Sequence, residues 1–111
     1  MHRPTLDVRF FKTDGGTEPV RDWLYELSAI DRKTIGEDIK TLQFGWPLGM
    51  PLVRKMDKDL WEVRIHLENR IARVLLTVSA GKIVLLHGFI KKSQATPKHD
   101  LDLAIDRMRS K

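Results

Sequence analysis

Leu60-Trp61-Glu62-Val63-Arg64-Ile65-His66-Leu67-Glu68-Asn69-Arg70-Ile71-Ala72-Arg73-Val74-Leu75-Leu76-Thr77-Val78-Ser79-Ala80-Gly81-Lys82-Ile83-Val84-Leu85-Leu86-His87-Gly88-Phe89-Ile90-Lys91-Lys92 reads as three consecutive strands. The runs 60–67, 70–78 and 82–92 are rich in apolar and β-branched residues, which suit a pleated, half-buried surface. Two dipeptides separate them, Glu68-Asn69 and Ala80-Gly81, each short enough for a tight hairpin turn. The third run is apolar on both faces at its centre, as an interior strand must be. Two-residue turns then set the register. Across the first, Leu67 faces Arg70, Ile65 faces Ala72 and Arg64 faces Arg73. Across the second, Ser79 faces Lys82, Leu75 faces Leu86 and Arg73 faces Gly88. Directly opposed residues share a face, and side chains alternate along each strand. Arg64, Arg73 and Lys92 are therefore expected at one end of one face, with Gly88 leaving space among them and Lys91 pointing the other way. Leu75 and Leu86 are expected to hold the other end of that face against a helix, and Trp61 lies on the opposite face.

Outward from this core, residues 6–11 alternate as a further strand, and Thr13-Asp14-Gly15-Gly16-Thr17 is a loop. Pro19 suits the first turn of a helix carrying Val20, Trp23, Leu24 and Leu27 at helical spacing. Ser28 with Asp31 resembles a capping box, followed by a helix from about Asp31 to Phe44 that buries Ile35, Ile39 and Leu42. Gly45-Trp46-Pro47-Leu48-Gly49 ends it, and a strand is expected from Pro51 to Met56. Thr96 as cap and Pro97 as first residue open a last helix with a stripe of Leu101, Ala104, Ile105 and Met108. The order β-α-α-β-β-β-β-α predicts an α+β domain over residues 1–111. An antiparallel sheet carries two N-terminal helices and one C-terminal helix packed on it.

Composition narrows the function. The chain has 111 residues and no cysteine, which excludes disulfides, a thiolate nucleophile and thiolate metal ligands. It carries 20 Lys+Arg against 15 Asp+Glu. Residues 1–50 hold 7 basic and 8 acidic side chains, leaving 13 and 7 for residues 51–111. A polyanionic partner is thus expected at the second half. No apolar run is long enough for a membrane span and no signal-peptide stretch opens the chain, so a cytoplasmic protein is expected. No pair of histidines has helical ligand spacing, so no metal site is expected; no cofactor is expected either.

Arg64 opposite Arg73 sets like charges against each other, a loss of a few tenths to about 1 kcal/mol. Two readings account for it. Glu62, two residues before Arg64 on the same face, can neutralise the pair. Alternatively the arginines form an anion site, since a planar guanidinium fork grips two phosphate oxygens. The run from His87 through Lys91-Lys92 to Thr96-Pro97 leads from a strand into a helix N-terminus, which favours anions. By local pattern alone it reads first as a solvated strand end followed by a cap.

Leu60-Trp61-Glu62-Val63-Arg64-Ile65, Ala72-Arg73-Val74-Leu75-Leu76 and Leu86-His87-Gly88-Phe89-Ile90-Lys91-Lys92 with Thr96-Pro97 resemble the phage-derived HigB-like toxins of the RelE superfamily. The resemblance spans nearly the whole chain. It implies a small metal-independent endoribonuclease of a type II toxin–antitoxin system. Its implied substrate is mRNA on the ribosome, and its implied inhibitor is an antitoxin from the adjacent gene with a helix-turn-helix domain. By this resemblance Arg73 contacts the scissile phosphate, Arg64 steers the 2′-hydroxyl, and Lys92 supplies a second clamp. Lys91, Arg70 and Lys98 are expected to add RNA contacts. The acid and base stay open among Glu62, His66, His87 and His99. His66 shares the Arg64 face, His87 is expected by parity to face away from Arg73, and His99 lies in the first turn of the last helix. Tyr25 is expected to be partly buried. Two other readings remain: a non-catalytic RNA- or ribosome-binding module, and an inactivated toxin acting as co-repressor.

Overall fold

The computed structural model describes residues 6–46, 53–91 and 95–110. In chain order these form β1 (Asp7–Phe10), α1 (Pro19–Glu26), α2 (Ala29–Gly45), β2 (Val53–Asp57), β3 (Leu60–Leu67), β4 (Arg70–Ser79), β5 (Lys82–Lys91) and α3 (Lys98–Ser110). The architecture is α+β, with a sheet in the order β1-β5-β4-β3-β2. Strands β2 to β5 are antiparallel neighbours, and β1 adds to the outer edge of β5 in parallel. That parallel pairing joins distant parts of the chain, so no hairpin turn announces it. The apolar β5 is interior, between β1 and β4, as its composition requires.

Helix α1 begins at Pro19, whose ring suits a position with no intrahelical N–H bond. Ser28 caps α2, its hydroxyl accepting from the Asp31 N–H at 3.2 Å. Asp31 therefore lies inside the first turn, and the helix starts earlier than expected, at Ala29. Strand alternation divides the core in two. Val63, Ile65, Ala72, Val74, Leu76, Ile83 and Leu85 pack beneath α1 and α2 with Val20, Ile35, Ile39 and Leu42. On the other face, Leu60, Leu75 and Leu86 pack with Phe11 and Ala104 of α3, flanked by Leu101, Ile105 and Met108.

The β3–β4 register is the expected one: Leu67 pairs with Arg70, Ile65 with Ala72 and Arg64 with Arg73. Asn69 sits at φ 59°, a left-handed conformation that asparagine tolerates. Ala80 (φ 52°) and Gly81 (φ 76°) form the second turn, and Ser79 pairs with Lys82. Beyond this point the β4–β5 register departs from expectation. Leu76 pairs with Leu85 but Leu75 pairs with His87, leaving Leu86 as the extra residue of a bulge. Leu86 still packs beneath α3, and its carbonyl accepts from Arg107 Nη1 of α3 at 2.8 Å. Burial lowers the Arg107 pKa from the usual arginine value.

The bulge reverses the parity of everything after it. Arg73 pairs with Phe89, Val74 with Gly88 and Ile71 with Lys91. Gly88 therefore does not open space beside Arg73. It lies under Trp23 of α1, where an added Cβ would come within 2.4 Å of the indole. His87 is brought onto the face of Arg73 instead of away from it, and its Nε2 meets Asp100 Oδ1 at 2.7 Å.

Candidate functional site

The hairpin register places Glu62, Arg64 and Arg73 on the α3 face, towards the end nearer the β3–β4 turn. Glu62 and Arg73 are 0% exposed, although both are charged residue types rarely buried without partners. Arg73 Nη1 donates to Glu62 Oε1 at 3.1 Å, and Arg64 Nε donates to the same oxygen at 3.3 Å. Thr96 Oγ1 donates to Glu62 Oε2. Arg73 Nη1 also reaches Thr96 Oγ1 at 3.4 Å. One carboxylate is thus shared by two guanidiniums and a hydroxyl. Thr96, expected to cap α3, turns its side chain to Glu62 instead. The backbone carbonyl of Pro97 takes the first helical bonds, from Asp100 and Leu101.

The two arginines occupy different positions in this cluster. Arg73 is enclosed, so in this arrangement its guanidinium meets Glu62 and Thr96 and presents nothing to solvent. Arg64 keeps 22% of its side chain exposed. Its Nε is held by Glu62, and neither Nη group has an acceptor among the described residues. The arrangement is a guanidinium oriented by a buried carboxylate with its outer edge unused. Such a fork is suited to two oxygens of a phosphodiester.

His66 follows Arg64 by two residues on β3, shares its face by alternation and is exposed. His87 is mostly enclosed, held by Asp100 and stacked on Phe89 with ring centroids 5.4 Å apart. His99 is exposed in the first turn of α3. Lys98 in the same turn pairs with Asp102 at 3.0 Å. Arg70 lies on the other face of the sheet, where it donates to Asp31 Oδ2 of α2 at 2.8 Å, so the structure does not bring it to Arg64 and Arg73. Lys91 ends β5 opposite Ile71. Lys92 lies outside the described residues. Tyr25 is not partly buried: it is 64% exposed, with the guanidiniums of Arg21 and Arg32 at 5.6 and 5.5 Å from its ring.

One basic residue escaped the reading of the sequence. Arg54 on β2 pairs across from Glu62 and so shares the face of Arg64 and Arg73. The signal was present as alternation with Met56, but strand β2 is short and begins beside Pro51, so its register could not be set from its own residues. Among the described residues, no group of three or more His, Cys, Asp or Glu could hold a metal ion. No described helix is long and apolar enough to cross a membrane.

Residues 22–109, most of the chain, match the family described as Phage derived protein Gp49-like (DUF891). No curated protein matches the chain.

Proposed function

The chain belongs to the family of phage-derived Gp49-like proteins, and on that footing we propose that it is a HigB-like toxin of the RelE superfamily, an endoribonuclease that cuts mRNA on the ribosome and arrests translation. The observation that carries this reading is Arg64, tied at Nε to a buried carboxylate and keeping both Nη groups for a ligand.

RNA brings its own nucleophile. The 2′-oxygen attacks the neighbouring phosphorus, its proton passes to a base, and the P–O5′ bond breaks as O5′ takes up a proton. A 2′,3′-cyclic phosphate and a 5′-hydroxyl result. A preoriented guanidinium assists because negative charge grows on the non-bridging oxygens in the transition state. Arg64 is the group that meets the phosphate. Arg73 is a positioning residue: it holds Glu62, and Glu62 aims Arg64. His66 stands about 7 Å along the strand from Arg64, and an imidazole is suited to moving the 2′-hydroxyl proton. The partners of this reading are ribosome-bound mRNA and a cognate helix-turn-helix antitoxin, in the cytoplasm.

A specific observation favours a second reading. Both oxygens of Glu62 are engaged, so the cluster offers no free carboxylate base. A non-catalytic module that only grips RNA on the ribosome would use the same Arg64.

The deciding experiment is 5′-end mapping of mRNA on translating ribosomes with wild-type protein and Arg64→Ala, in EDTA, with ribosome-free mRNA as control. Discrete cuts that need ribosomes, persist in EDTA and weaken by about 10²–10³-fold in Arg64→Ala are expected. Intact mRNA with a folded wild-type protein bound to ribosomes would refute the nuclease reading and leave the binding module.

A further inference from the structure

Arg54 stands directly across from Glu62 on the sheet, yet their side chains form no ion pair. Glu62 is completely enclosed and its oxygens are taken by Arg73, Arg64 and Thr96. Arg54 is exposed and makes no ion pair among the described residues. Among the described residues, the patch therefore brings the guanidiniums of Arg54, Arg64 and Arg73 to the carboxylate of Glu62. The excess positive charge lies at its open side. Strand β2 is the edge of the sheet, and among the described residues no further strand limits access to Arg54. Its neighbour Lys55 belongs to the other face, with its ammonium 5.7 Å from the Trp61 ring, and does not share the patch. Met56, on the face of Arg54, packs with the α3 cluster and closes the patch on that side.

We propose that Arg54 binds the phosphate next to the one held by Arg64, so that a single RNA strand runs from β3 towards the β2 edge. Arg54 and Arg64 occupy diagonal positions on neighbouring antiparallel strands, about 7–8 Å apart at Cα. Two long, flexible side chains at that separation reach successive phosphates of one strand without moving the backbone. The inference rests on the RNA-directed reading above and adds to it a direction for the substrate and a second phosphate subsite. A solvated charge on an edge strand can also serve only to block strand pairing with another chain, and the test separates these roles.

The test is the salt dependence of RNA binding. The probe is a fluorescein-labelled, uridine-only single-stranded RNA with 2′-O-methyl groups, which lacks the attacking hydroxyl and stays whole. Each phosphate neutralised on a single strand contributes about −0.7 to the slope of log K against log salt. Arg54→Ala is expected to make the slope shallower by about 0.7, Arg54→Lys to retain the wild-type slope, and Lys33→Ala, on exposed α2 surface, to change nothing. Thermal unfolding checks that each variant folds. A wild-type slope in Arg54→Ala overturns the inference, as does the absence of salt-dependent binding by the wild-type protein. Neither result decides cleavage, which the 5′-end mapping reads independently.

Discussion

Replacing Glu62 by leucine keeps most of the side-chain volume and removes only the carboxylate that neutralises Arg73. Both members of the pair are 0% exposed and meet at 3.1 Å, so the substitution strands a guanidinium away from water. Breaking a buried ion pair from one side costs about 3–5 kcal/mol. Against a total stability of about 5–15 kcal/mol for a domain of this size, that is a large share. With an m-value near 2 kcal/mol per M, the urea midpoint should fall by about 2 M. Far-UV circular dichroism in a urea titration reads the midpoint, and an unchanged m-value confirms that the loss is in stability. The double variant Glu62→Leu/Arg73→Met replaces the pair with apolar side chains and should return to within about 1 kcal/mol of wild type. It should nevertheless lose the orientation of Arg64, and with it the proposed activity. A loss below about 1 kcal/mol in the single variant would refute the enclosed pair, because a solvent-screened pair behaves that way.

Two further outcomes follow from the geometry. Gly88→Ala places a Cβ within 2.4 Å of Trp23 and forces α1 from the sheet. A loss of about 1–3 kcal/mol in urea is expected, partly relieved when Trp23→Leu is added, and purely additive losses would sink the explanation. Burial, with Glu37 adding to it, raises the Asp38 pKa above 3.8, while His66 opposes the shift. The fold thus favours the protonated carboxyl: the stability this group contributes is complete below pH 3.8 and is lost as pH rises through its folded value. Asp38→Asn should therefore stabilise the protein near neutral pH and give no gain below pH 3.8, and equal gains at both would contradict the assignment.

The strands, the helices and the Arg64–Arg73 opposition were legible because each rests on local rules. Alternation, helical spacing and a two-residue turn at Glu68-Asn69 leave one register for β3 and β4. That register also placed Glu62 beside both arginines, and the structure realises the neutralisation that this placement allowed. The second hairpin obeyed its turn from Ser79 and Lys82 as far as Leu76 and Leu85, but not at the next residue, Leu86. A bulge leaves no mark in the turn, and here it satisfies distant partners: Leu86 under α3, Arg107 on its carbonyl and Gly88 under Trp23. Those partners belong to α1 and α3, so only the packed molecule could select the shift.

The same division runs through the site. Residue type and spacing determined that two arginines and a carboxylate share a face. Tertiary structure decided which arginine is accessible. Thr96 is remote in sequence from Glu62, and its hydroxyl reaches the carboxylate only once β5 and α3 have been folded onto the sheet. Enclosing a cation costs several kcal/mol unless a buried anion accompanies it, and that pairing joins residues on different strands. Arg73 became the anchor and Arg64 the exposed fork, while Arg54 joined them through the pairing of an edge strand whose register its own sequence does not specify. Local sequence dictates which side chains alternate to a face; depth beneath that face is set by what the rest of the chain lays over it.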